Sequence, residues 1–285
     1  MPKKNKKVQL IINADDYGFS KSVSEGILDA HRTGLVTATG IMANGSYFKK
    51  GVHRLFDTGN LDTGVHINIT SGYPITKDMG KKLSKWGGTF PGIFKMATAI
   101  LKNKISPELV MLEFQAQIER CLKAGLVIFF ANSHHHVHML PPLFKRTANL
   151  AKHLGIPFVR YTTAEWVNCF KPRVIINNFL LRAFHSINQR YKLAKTPRLN
   201  GVCCSGNLTI SYIKQVFPLL QNGQIYELMC HPGYLNTDEI DNPLLLRFHH
   251  WESELELLKS NEMRDICEKN DLQVIGYRDI APPVL

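Results

Sequence analysis

Short apolar runs alternate with helical patterns along this chain, and most of the runs end in a group of polar residues. Val8–Ile12 reads as a buried strand that delivers Asn13-Ala-Asp-Asp-Tyr-Gly18. A helix follows, capped by Ser20 or Ser22 and reaching Ala30, with Val23, Ile27 and Ala30 on one face. Further strands are predicted at Thr37–Met42, Leu61–Ile69, Leu126–Ala131, Pro157–Tyr161, Tyr226–Cys230 and Gln273–Tyr277. Between them fall helical patterns at Tyr47–Phe56, Glu108–Ala124, Leu143–His153, Val174–Tyr191, Ser211–Leu220 and a long one at Leu244–Asn270. Residues 71–104, with glycines at 72, 80, 87, 88 and 92, read instead as an irregular excursion. About eight strands alternating with about seven helices predict an α/β fold, a single irregular (β/α) barrel. No break in composition marks a boundary, so residues 1–285 are expected to form one domain.

In a parallel barrel the carboxyl ends of the strands share one mouth, and chemistry gathers there. Asp15 and Asp16 follow the first strand, His66 lies near the end of another, and His231-Pro-Gly233 follows one near the end of the chain. Between them comes His134-His135-His136-Val137-His138, four of the chain's 12 histidines in five positions. Taken singly, paired aspartates are turn residues, and a histidine on an apolar strand is a satisfied core residue. Together they supply more than the aspartate and two histidines that hold a divalent cation with open positions. His134 and His138 are four apart, so a helical turn would aim both at the site. His135 and His136 are expected to support rather than ligate.

A hydrophobic content of 44% and a charged content of 20% fit a globular protein. No apolar run approaches the ~20 residues of a membrane span, and Val8–Ile12 is too short for a signal sequence. Six cysteines without a C-x-x-C pair, among them Cys121, Cys169 and Cys267 in apolar surroundings, point to a reducing, cytoplasmic setting. The net charge of +12 is uneven. From Trp166 to Tyr226 there is no acid, while Lys171, Arg173, Arg182, Arg190, Lys192, Lys195, Arg198 and Lys214 fall there, a field that favours an anionic partner. The helix in this stretch sets Ile176, Phe179, Leu180, Ala183, Phe184 and Ile187 beside arginines. An ordinary barrel helix would turn those residues inward. The alternative is docking of 171–198 on an anionic membrane, which would place the protein at the inner membrane face.

Five ordered motifs carry a family resemblance: Asn13-Ala-Asp-Asp-Tyr-Gly-Phe-Ser20, Gly34-Leu-Val-Thr-Ala-Thr39 with Asn44-Gly45, Gly64-Val-His-Ile-Asn-Ile-Thr70, Ser133-His-His-His-Val-His138 and Met229-Cys-His-Pro-Gly233. Together they resemble the YdjC-like carbohydrate deacetylases, a group that includes chitooligosaccharide and hopanoid-associated deacetylases. The resemblance implies a distorted barrel and metal-dependent removal of an N-acetyl group from a sugar, oligosaccharide or glycolipid, with Mg2+ or Zn2+ as cofactor. It implies that Asp16, His66 and His134 are metal ligands, Asp15 the general base and His231 the acid that protonates the leaving amine. His138 matches a second histidine of related deacetylases and is a further candidate ligand. His136 and Asn132 are candidates for supporting the site, and Asn44, Asn68 and Pro232, within the motifs, for touching substrate. Family members commonly carry Asp where this chain has Asn132, which orients a neighbour without supplying charge; retuned metal affinity is the expectation. The approach to Thr196-Pro-Arg198 and Ser205-Gly206 resembles the hopanoid-associated members.

Other classes fit less well. A metal-dependent phosphoesterase also gathers histidine and aspartate at strand ends, and is the alternative enzyme. A non-enzymatic binder of anionic surfaces suits the charge, but nucleic acid is not expected, because aromatics do not interleave with the basic residues. No G-x-S-x-G elbow supports a serine hydrolase. A homodimer is left open as an assembly.

Overall fold

A computed structural model describes residues 7–167, 172–193, 196–240 and 242–282, without the side chains of Pro172 and Arg173. Cys169, Lys171 and Lys195 lie outside the described residues. The chain begins with β1 (Val8–Tyr17), α1 (Lys21–Arg32), β2 (Ala38–Ile41), a short α2 (Phe48–Gly51) and β3 (Asp62–Ile67). Then come α3 (Lys77–Lys82), α4 (Ile93–Leu101), α5 (Pro107–Lys123), β4 (Ile128–Ser133), α6 (Pro141–His153) and β5 (Phe158–Val159). The remainder is α7 (Pro172–Asn188), β6 (Arg198–Asn200), α8 (Ile210–Val216), β7 (Ile225–Cys230), α9 (Pro243–Phe248), α10 (Trp251–Lys259), α11 (Asn261–Lys269) and β8 (Leu272–Val274).

All strand pairs are parallel, in the order β5-β4-β3-β2-β1-β7-β6, with β8 paired to the first residues of β1. Parallel neighbours need crossover helices, so both faces of the sheet are covered and β1, β3 and β7 are almost wholly buried, while β6 and β8 each expose a residue. The sheet curls into an irregular barrel. Between β5 and β6 no ladder forms among the described residues; the gap is bridged by Glu165, which accepts from the backbone N–H of Gly201 and Cys203 beyond β6.

Local chemistry sets the helix ends. Ser20 caps α1 by accepting from the Val23 N–H, and Ser106 caps α5 ahead of Pro107. Gly125 at φ +86° lets the chain leave α5 for β4.

Four sequence expectations need correction. β1 runs on to Tyr17, so both aspartates lie within the strand rather than beyond it. Residues 71–104 contain two helices; α4 escapes periodicity because it is apolar on both sides, burying Met96 and Ile100 while exposing Phe94 and Leu101. The long helix at 244–270 is three, parted by extended backbone at His249 and at Ser260, which caps α11 through the Met263 N–H. No proline or glycine marks those breaks. Finally, α7 turns only part of its apolar set inward: Leu181 is buried and Val174 and Phe184 pack on the core, but Ile176, Phe179, Leu180 and Ile187 are exposed while Asn178 and Asn188 are buried.

Candidate metal centre

Successive strand residues normally face opposite sides of a sheet. At the end of β1 the register shifts between Ala14 and Tyr17, and Asp16 takes the left-handed conformation at φ +75°. This irregularity lets adjacent carboxylates reach one site. His66 Nδ1 lies 3.5 Å from Asp15 Oδ1, and its Nε2 lies 3.1 Å from Asp16 Oδ1. Such strain in a buried strand is found where function needs it.

His134 arrives from the turn after β4, its Nδ1 3.2 Å from Asp16 Oδ1. The next two residues, His135 and His136, are also left-handed, at φ +54° and +52°. They swing the chain so that His138 does not return to the site. Its Nδ1 meets Ser133 Oγ at 2.5 Å and its Nε2 meets the Arg160 carbonyl at 2.8 Å, so neither nitrogen is left to bind an ion. The expectation that His138 could be a ligand through i, i+4 spacing is therefore corrected: a 3-10 turn with left-handed residues replaces the helical turn. His135 pairs with Thr70 Oγ1 and His136 with Thr162 Oγ1.

Asp16, His66 and His134 are buried, and one donor atom from each lies within 4.8 Å of the others. Hydrogen bonding fixes the state of His66. The Asp15 carboxylate only accepts, so the Asn132 amide donates to it (2.8 Å) and turns its oxygen toward His66 Nδ1 (2.8 Å). Nδ1 then carries a hydrogen, and Nε2 is the nitrogen turned toward the other donors, where its lone pair would be open to an ion.

Behind this trio lies a residue that sequence analysis missed. Arg160, fully buried one position after β5, grips Asp15 with both terminal nitrogens (2.5 and 3.1 Å) and Glu227 of β7 through Nε and Nη2 (3.0 and 2.5 Å). Burial pushes the Asp15 carboxyl up, but Arg160, His66 and His231 more than offset it and hold it well below the usual range. Burial likewise opposes ionisation of Asp16, and His134 and His66 bring it well below that range. Among the described residues, Asp15, Asp16 and Glu227 set three carboxyls against one guanidinium. Ionised, they leave a surplus of two negative charges, the charge that a divalent cation balances. The missed signal was a lone charge inside an apolar strand: Val159-Arg160-Tyr161 and Tyr226-Glu227-Leu228.

His231 follows β7 on a turn held by two contacts. Its backbone N–H donates to Glu254 Oε2 (2.6 Å), and Gly233 presses against Gly26 of α1 so closely that a Cβ on Gly26 would sit 2.4 Å from the Gly233 Cα. His249, also missed, meets the His231 ring edge-on at 5.1 Å and stacks on Trp251. Nδ1 of both histidines is buried without a hydrogen-bond partner among the described residues. Asn44 and Asn68 line a cleft of about 260 Å³ with Phe19, Glu239, Asn242 and Leu245. Their amides already bond each other, Tyr73 and Ser71, so they shape the cleft as much as they face it. Pro232 is buried and does not line it.

Known proteins resemble this chain in sequence and in fold. The model of a family described as YdjC-like protein matches residues 9–269. A carbohydrate deacetylase from Oceanobacillus iheyensis is 39% identical over 262 residues, covering 90% of this chain and 98% of its own. Another carbohydrate deacetylase, from Clostridium beijerinckii, is 27% identical over 274 residues, covering 96% and 100%. In three dimensions the chain is similar to a proposed cellobiose-phosphate cleavage protein from Enterococcus faecalis, with a TM-score of 0.72 and 24% identity, over 97% of this chain and all of that one. That likeness carries the fold.

Proposed function

The chain belongs to the YdjC-like protein family, and from that membership we propose that it is a carbohydrate N-deacetylase, a metal-dependent hydrolase that splits the acetamido group of an N-acetylated sugar into acetate and a free amine. The observation that carries the metal dependence is the convergence of Asp16, His66 and His134, with the His66 lone pair turned into the group. One oxygen and two nitrogen donors suit Zn2+ or Mg2+ without choosing between them. A divalent cation held there would supply Lewis-acid polarisation of the acetamido carbonyl.

The protein's own residues do the rest. Asp15, kept ionised by Arg160, is a weak base with fixed geometry. It orients the attacking water and takes its proton as the bond from water oxygen to carbonyl carbon forms. His231, just past the carboxyl end of the neighbouring strand β7, delivers a proton to the nitrogen as the carbon–nitrogen bond breaks. Asn132 and Arg160 are positioning residues, acting through His66 and Asp15. Asn44, Asn68 and Glu239 would meet the sugar in the adjoining cleft. Among the described residues no lysine or arginine lines that cleft, which favours an uncharged sugar over a phosphate ester and disfavours a phosphoesterase.

The test is acetate release from N-acetylglucosamine oligomers and from a glycolipid, with and without chelator. Asp15→Asn should lose about 10²–10⁴-fold in turnover while metal analysis still finds the ion bound. Undiminished release by that variant, or by chelated protein, would overturn the assignment.

A further inference from the structure

The helix α7 buries Leu181 and packs Val174 and Phe184 on the core, yet it also buries two asparagines and leaves a second apolar set outside. Its buried side carries Asn178, which bonds the Glu165 backbone at both its N–H (3.1 Å) and its carbonyl (2.5 Å), and Asn188, which donates to the Met139 carbonyl (2.7 Å). Its outer side carries Ile176, Phe179, Leu180 and Ile187, spaced i, i+3, i+4 and i+11, with Ile176 60% and Phe179 61% exposed. The exposed Trp166 ring packs edge-on against Phe179 at 5.6 Å and enlarges the patch. A contiguous apolar stripe of this kind on a water-facing helix marks an interaction site.

Its place and its charge identify the partner. Glu165 and Met139 belong to the segments that follow β5 and β4, so the middle of α7, at Asn178, and its carboxyl end, at Asn188, are fastened at the mouth of the barrel. Arg182 and Arg190 flank the stripe, no acid occurs from Trp166 to Tyr226, and α6, packed beside α7, has none either. On the other flank of the histidine turn, α4 exposes Phe94 and Leu101 among Lys95, Lys102 and Lys104. Apolar residues with an aromatic belt, rimmed by cations alone, suit an anionic bilayer surface. A second copy fits poorly, because a two-fold contact would bring like charges together with no acid to pair them.

We propose that the outer face of α7, extended by Trp166, docks this protein on anionic lipid bilayers with the mouth of the barrel beside the membrane. The proposal concerns docking alone, so it is read without turnover and stands or falls separately from deacetylation.

The full chain is to be sedimented with phosphatidylcholine vesicles with and without phosphatidylglycerol, at low and at high salt. Sedimentation with the anionic vesicles only, weakened by salt, is the expected result. Phe179→Ser with Leu180→Ser should reduce binding about tenfold or more, with unchanged melting temperature. Ile187→Glu serves as a second, independent variant with the same expected loss. Val127→Ser, on an exposed residue at the amino end of β4 away from the mouth, should leave binding unchanged. Failure to sediment with anionic vesicles, or an equal loss in the Val127 variant, overturns the proposal. So does an α7 variant that keeps vesicle binding but converts a dimer to a monomer in light scattering, which would assign the face to a second copy.

Discussion

Asn132 can make its two hydrogen bonds in only one orientation, and through them one side chain sets two others. Its oxygen holds the His66 tautomer and its nitrogen holds Asp15. An aspartate there would put a second carboxylate against Asp15 Oδ1 at the same distance. Asn132→Ala should therefore weaken metal binding by about 10–100-fold in a titration with Zn2+, while leaving the fold intact. Arg160 is a different case. Removing it as Arg160→Met strands Asp15 and Glu227 as buried charges, so unfolding should become easier by about 3–5 kcal/mol in urea. His249 gives a pH signature. Burial pushes its imidazole down from 6.5 to about 3, so the folded protein refuses a proton that the unfolded chain accepts. That residue's contribution costs no stability above pH 6.5 and an increasing amount as pH falls from 6.5 toward about 3. His249→Gln should flatten the fall in urea midpoint between neutral and acid pH; an unchanged slope would remove His249 as its source.

At the scale of elements, the site depends on how closely α1 approaches the turn after β7. Two glycines, Gly26 and Gly233, permit that approach, and the turn they hold carries His231 two residues before Gly233. Gly26→Ala would force the turn away from α1. The cost to stability should be about 1–3 kcal/mol, and turnover should fall more than substrate affinity, because His231 is displaced while the cleft is not. The histidine turn obeys the same logic. Left-handed backbone at His135 and His136 separates His134, at the site, from His138, bound to Ser133 and Arg160 beneath it. Helical spacing in the sequence misleads at that point, since residues in left-handed conformation abolish the i, i+4 relation on which the expectation rested.

For the molecule as a whole, the buried carboxyls and imidazoles link metal occupancy to stability. Ion bound only by the folded state should add about 2.7 kcal/mol at a concentration 100-fold above its dissociation constant, and chelation should remove it. A melting temperature indifferent to chelator and to added Zn2+ or Mg2+ would contradict a metal centre here. The barrel itself was legible because most strands are short apolar runs and most crossover helices amphipathic, and both signals are local; β6, only Arg198–Asn200, carries no such run and went unpredicted. Asp15, Asp16, His66, His134 and His231 stood out for a related reason: each interrupts or closes an apolar run, and water-loving side chains rarely sit there without a task. Arg160, Glu227 and His249 did not stand out, because a single charge in a strand has no meaning until its partner is known. Their partners lie 145, 67 and 18 residues away in the chain, at Asp15, Arg160 and His231. The sequence by itself determined which side chains end the strands, through hydrophobic periodicity. Only the tertiary structure decided which nitrogen of His66 faces the ligand group, that His138 is turned aside, and that α7 leaves Ile176, Phe179, Leu180 and Ile187 facing solvent. Those outcomes hang on hydrogen bonds between residues brought together by the curl of the sheet, and no spacing along the chain encodes that distance.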